Sequence, residues 1–336
     1  MTLSRLGLSA ALAFAMSVAA PAASAEELTV ATFVPPQHHS NTGLFAWLAN
    51  ELDTRSGGSL TMQLFPAGQL GAGPVQQYKR AVEGVADITF GVTAYTPALF
   101  PKTMLAIPPG KANSSAEATE RLMAVFDEYL ADEYDDVKVI ALSTAAGIGI
   151  ASTQDLSTLE AMEGAKVVPY AALTTPIIEA MGAVPVQMPV TEMYTGLSTG
   201  TIDGAYATYN NMTPPWNFWD VASHFTVNVP VQHAVIFVVM NKERYMGLSD
   251  DHRAIVDELA GEAASMKLAE GFDGADVKSL AMMESAEGKN FEIVTVSAQE
   301  RARMDAAVAD GMQAIFADYA SRGIDNAEEI YNAINK

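Results

Sequence analysis

Apolar positions alternate with polar ones from Glu27 to Val34, Pro35-Pro36 closes the run, and Leu44, Phe45, Leu48 and Leu52 follow at helical spacing. That order predicts a strand and then a helix. Leu60 to Phe65 and Asp87 to Val92 read as further strands with a helix over Pro74 to Val82 between them, the alternation expected of a parallel sheet with helices on its faces. Glu117 to Tyr134 has helical spacing and Val137 to Leu142 reads as a strand. Thr144 to Ala151 is an apolar, glycine-bearing stretch suited to carrying the chain into a second unit.

That second unit is predicted to open with a strand at Ala165 to Pro169, continue through a helix near Thr174 to Met181 and return as a short strand at Val184 to Met188. A helix follows over Thr191 to Ser198, with Thr191 as its cap, and then a strand-like run over Ile202 to Ala207. Ala234 to Met240 is apolar at every position, which suits a buried strand returning to the first unit. From Ser249, placed to cap it, one helical pattern runs to about Glu284 with Ile255, Leu259 and Met266 on one stripe, long enough to bridge both units. A late strand over Phe291 to Val296 and two helices close the chain. The expected division puts domain I at 26–147 plus about 234–270, and domain II at about 148–233 plus 271–336. Two α/β domains joined by more than one crossing strand make a hinge with a cleft, an architecture that captures small ligands by closure.

The residues ahead of the first strand show the three zones of a secretory leader: Arg5, the apolar run Leu6 to Ala20, and the small-residue pattern Ala23-Ser24-Ala25. Cleavage is expected near Ala25. The apolar run is about fifteen residues, short of the roughly 20 that span a bilayer, and no later run stays apolar that long. About 310 residues would remain, more than one hydrophobic core usually serves. With no cysteine in the sequence there is no disulfide, no lipid-anchoring cysteine and no thiolate metal site. The formal charge of −21 becomes one unit more negative when Arg5 leaves. Such a field repels nucleic acid and anionic lipid surfaces, so neither is an expected partner.

Chemistry-bearing motifs are sparse. His38, His39, His224, His233 and His252 do not stand in a metal-ligand spacing, and no nucleophile elbow, phosphate loop or dinucleotide fingerprint follows a strand. Gly147-Ile148-Gly149 lacks the third glycine of a cofactor loop, and Asp155, Glu160 and Glu163 read as a solvated acidic loop. No enzyme activity, cofactor or metal is expected. Tyr206, Tyr209, Trp216, Phe218 and Trp219 fall together among Asn210, Asn211, Pro214 and Pro215. This cluster is either a plug fastening a loop to the core or one wall of a ligand cleft. His38 and His39 lie at the end of the first strand, where open α/β sheets place ligands. They are ligand donors or simple loop histidines.

Phe65-Pro66-Ala67-Gly68-Gln69-Leu70-Gly71, Gly84-Val85-Ala86-Asp87-Ile88, Phe100-Pro101, Gly164-Ala165-Lys166, Gly182-Ala183-Val184-Pro185-Val186, Glu192-Met193-Tyr194 and Gly200-Thr201-Ile202-Asp203-Gly204 occur in that order. In these the chain resembles the DctP-type solute-binding proteins of TRAP (tripartite ATP-independent periplasmic) transporters along nearly its whole length. The resemblance implies a bilobed, type II-like periplasmic binding fold with a long spanning helix. It also implies a periplasmic, monomeric receptor that captures a small organic solute and delivers it to TRAP permease membrane subunits driven by an ion gradient. A ligand sensor presenting its solute to a membrane signalling protein is the alternative. The family's carboxylate-clamping arginine and its supporting asparagine correspond here to Val168 and Ala207, and no arginine stands between Arg121 and Arg244. Burying a carboxylate without charge-assisted donors costs several kcal/mol. The expected cargo is therefore neutral, cationic, or an acid held atypically by His38, His39 or His233. His38, Tyr95, Tyr170, Tyr206, Asn210 and Trp216 are the expected ligand-binding residues, with Trp219 as further aromatic wall and Glu192 as a counter-charge or a helix-start contact. Asp203 is expected to be a turn residue.

Overall fold

A computed structural model describes residues 25–230, 232–286 and 289–336. The leader expected over residues 1–25 therefore lies, save Ala25, outside the described residues. Strands β1 (Glu26–Ala31), β2 (Leu60–Phe65), β3 (Ile88–Val92), β4 (Val137–Ala145), β5 (Ile148–Ser152), β6 (Lys166–Val168), β7 (Val184–Pro185), β8 (Gly204–Thr208), β9 (His224–Val227), β10 (Ala234–Asn241) and β11 (Glu292–Thr295) form two sheets. The first has the order β2-β1-β3-β10-β4 and the second β11-β9-β5-β8-β6-β7. Each sheet with its helices is one lobe of a bilobed α/β protein.

Both sheets are mixed rather than parallel. In the first, β1 runs parallel to β2 and β3, whereas the returning β10 is antiparallel to both β3 and β4. The apolar run of β10 is explained by its place: Ile236, Val238 and Met240 enter one apolar cluster and Val235, Phe237 and Val239 another, so the strand is buried on both faces. The short β9 carries no sequence prediction, because four residues with His224 at one end offer too little alternation to read.

The chain leaves the first lobe between β4 and β5 at Ala146-Gly147, returns between β9 and β10, and crosses again in the helix Glu262–Glu284. That helix is shorter than the predicted span from Ser249. Ser249 does cap a helix, its side chain accepting from the His252 N–H, but this helix ends at Leu259. Gly261 then adopts φ 71°, a left-handed conformation that breaks the helical run. The predicted helix over Glu117 to Tyr134 is likewise regular only over Ser115–Ala124. Its start is held by the Asp273 carboxylate of the spanning helix, which accepts from the Ser115 and Ala116 N–H groups at 2.7 and 3.0 Å.

Near the C-terminus, Ala298–Ser321 packs on Thr175–Ala180 of the second lobe, and Ala327–Ile334 packs on Thr103–Ala106 and Ser115–Ala124 of the first. Gly311 permits the first of these contacts, since a Cβ there would meet the Ile177 Cα at 2.8 Å and its N at 2.9 Å. Backbone cannot yield as a side-chain tip can. Gly311→Ala should therefore destabilise the protein by about 1–3 kcal/mol, read as a lowered thermal midpoint.

Candidate functional site

The segments after β1, β3, β6 and β8 converge on a pocket that encloses about 640 Å³ of space, open solvent included. All six residues expected from sequence line it: His38, Tyr95, Tyr170, Tyr206, Asn210 and Trp216. His38 follows β1 in a turn fixed locally. Its N–H donates to the Pro35 carbonyl at 2.9 Å, and the Asn41 amide closes on the same carbonyl at 2.9 Å. Tyr95 ends the turn Thr93–Tyr95 directly after β3. Tyr170 follows β6, its N–H donating to Gln232 Oε1 at 3.1 Å. Tyr206 belongs to β8, where Ala205 and Ala207 face the opposite side, into the second lobe's core. Asn210 is the second residue of the helical turn Tyr209–Met212, which Thr208 and Asn211 hold by a reciprocal cap. Trp216 lies beyond, in a loop that Thr213 ties to Ser279 of the spanning helix at 2.7 Å.

The two lobes touch across this cavity. The Val190 N–H of the second lobe donates to the Tyr95 hydroxyl of the first at 3.1 Å. The His38 ring meets Trp216 edge-on, their centroids 6.2 Å apart. The lobes are thus closed on each other in this structure.

Aromatic and sulfur-bearing walls that the sequence reading missed complete the cavity: Phe33, Phe90, Phe272, Met188 and Met193. Their alternation identifies core strands and helices, but only the packed sheets reveal that these ends of the core are open to a cavity. His38 is buried, and its Nδ1 accepts from the Ser40 N–H at 3.2 Å, so the neutral ring carries its proton on Nε2. Burial, helped by the adjacent His39, pushes His38 well below the usual histidine range. Burial pushes His39 down to about 4. Burial likewise lifts the Tyr95 hydroxyl to about 12, while the tyrosines at 170 and 206 also rise. All these groups are uncharged near neutral pH.

Several auxiliary expectations need correction. Trp219 packs on Phe291 under the Lys289 ammonium, which lies 4.6 Å from its ring, and does not line the cavity. Glu192 is exposed on the first turn of the helix Val190–Thr199, whose cap position is Pro189 rather than Thr191. It supplies no counter-charge to the cavity. His233 is buried elsewhere, its N–H donating to the Ile107 carbonyl at 2.7 Å. Asp203 does hold a turn, accepting from the Lys166 N–H at 2.8 Å. Val168 and Ala207 are buried in the apolar cluster that includes Met193 and Met212, with Trp216 packed against it.

The sequence profile of the bacterial extracellular solute-binding protein family 7 (DctP) matches residues 30–318. Among solved structures, a TRAP solute-binding protein from an unidentified marine microbe, specific for aromatic acid ligands and bound to metahydroxyphenylacetate, is 26% identical. It superposes with a TM-score of 0.86, covering 92% of this chain and 97% of that one. A TRAP solute-binding protein from Rhodoferax ferrireducens with copurified benzoate is 24% identical, with a TM-score of 0.85 over 92% of this chain and 96% of that one. One from Bordetella bronchiseptica with bound mandelate is 21% identical, with a TM-score of 0.81 over 92% and 98%. The last two resemblances bear on the fold alone.

Proposed function

Since the chain belongs to the bacterial extracellular solute-binding protein family 7, we propose that it captures its cargo between the lobes by closing His38, Tyr95, Tyr170, Tyr206, Asn210 and Trp216 over it. It is an extracytoplasmic solute receptor of the TRAP kind, and its family is one of receptors rather than enzymes. In the proposed cycle an open, monomeric periplasmic form meets solute on one lobe and the hinge shuts. The closed form then docks on the membrane permease and releases its cargo unchanged. The observation that carries closure is the bond from Val190 to Tyr95, which joins residues 95 positions apart across the cleft. The aromatic walls support a cargo of about the ring size bound by the marine relative.

The test begins with protein unfolded, freed of retained ligand and refolded, then screened by thermal shift against organic acids, amines, polyols and neutral aromatics. A binder raises the melting temperature. Small-angle scattering with that binder should show a smaller radius of gyration; tight binding with no contraction would overturn capture by closure. Tyr95→Phe removes the acceptor that Val190 uses across the cleft. At about 1 kcal/mol for such a bond, the variant should bind roughly fivefold more weakly by calorimetry.

A further inference from the structure

The charge of the cargo can be read from what the cavity wall lacks and what it leaves unpaired. Phe33, Phe90, Tyr95, Tyr170, Trp216 and Phe272 supply ring faces and edges, and among the described residues no Asp, Glu, Lys or Arg lines the cavity. Arg301 is a cation whose field reaches the Tyr206 hydroxyl, and its guanidinium is engaged by Asp305 at 2.8 Å and the Val229 carbonyl at 3.1 Å. A carboxylate would meet neutral donors only. On the other side, the Asp276 carboxyl lies near Tyr170 and accepts from the Asn210 N–H and side-chain amide at 3.1 and 3.2 Å. Its second oxygen lies against Gly147, where an added Cβ would sit upon it, and Asp276 itself does not line the cavity. An ammonium ligand would find ring faces but no counter-ion.

What the wall does present is donors. Trp216 Nε1 is buried without a partner, the Tyr206 hydroxyl has the Gln232 side chain beside it but no acceptor for its own proton, and the proton-bearing Nε2 of His38 belongs to the same lining. Buried donors left unpaired are costly, and a ligand oxygen placed among them recovers that cost without bringing a charge. Resting on the receptor reading above, we propose that the cargo is an uncharged aromatic compound bearing a hydrogen-bond-accepting oxygen, such as an aromatic amide, aldehyde or ketone.

Three isosteric probes separate the classes by calorimetry on the refolded protein at pH 6, where the Asp276 carboxyl still holds its proton: 3-hydroxybenzamide, 3-hydroxybenzoate and 3-hydroxybenzylamine. The amide should bind at least tenfold more tightly than the anion or the cation, and 3-hydroxybenzaldehyde should follow the amide. An anion or cation that binds as tightly as the amide overturns the proposal while leaving the receptor reading intact. No binding by either neutral probe also overturns it, and the receptor reading then stands or falls on the contraction measurement with the solute screen.

Discussion

Trp216→Ala should lower affinity for the cargo at least thirtyfold. The indole sits where both lobes meet, packing on the first lobe's core and on the second's, with its edge contact to His38 at 6.2 Å. It also contributes a buried donor with no partner in the protein. Central aromatic anchors of this kind lose about 2–4 kcal/mol of binding on truncation, which is roughly 30- to 1,000-fold. Trp216→Phe keeps an aromatic face and deletes the donor, so its loss should be intermediate, near tenfold. Titration calorimetry reads both, and the melting temperature of the ligand-free variants separates lost binding from lost fold. Affinity within threefold of the parent for the alanine variant would show that the loop is a plug and not a wall.

Asp276→Asn should make the protein more stable above neutral pH and leave it unchanged near pH 4. Burial raises this carboxyl from 3.8 to about 7, offset in part by the two Asn210 bonds and reinforced by the charge of Asp273 one turn away on the same helix. An unfolded chain releases that proton near pH 4, whereas the folded one holds it until about 7. Between those values the folded state binds more protons, so stability falls as pH rises. The span is worth up to about 4 kcal/mol, and the asparagine, which cannot ionise, escapes it. Differential melting of parent and variant from pH 4 to pH 8 should open a gap of several degrees. His39 and His233, each lowered to about 4, and His38 give the opposite trend, losing stability as pH falls below 6.5. They are common to both proteins and cancel in the difference. A gap that is constant with pH would refute the assignment.

The strands that organise the first lobe were legible because each carries its own signal, alternation in β1 and an unbroken apolar run in β10. The broken helix was not, since one glycine within an otherwise helical pattern reads as tolerated until its φ is seen. The candidate site divides the same way. Residues at strand ends and in the proline-flanked aromatic loop could be picked out by position, and all six reached the cavity. The choice between neighbours such as Trp216 and Trp219 depends on which way a loop folds over the sheet, and the residues of that loop do not encode it separately. Phe272 was beyond reach for another reason: it comes from the spanning helix, whose contact with the cavity exists only once both lobes are assembled.

Lobes joined by two strand crossings, a helix of 23 residues, about 35 Å long, and the C-terminal link from Ser321 to Ala327 cannot part locally. Anything inside waits for the whole hinge. Residence time is then governed by a collective motion on the scale of roughly microseconds to milliseconds when unhindered, lengthened by whatever the cargo contributes to the closed state. Exchange between competing solutes would share that clock, so a weak cargo could be outcompeted at equilibrium yet still delay its rival's entry by occupying a shut receptor.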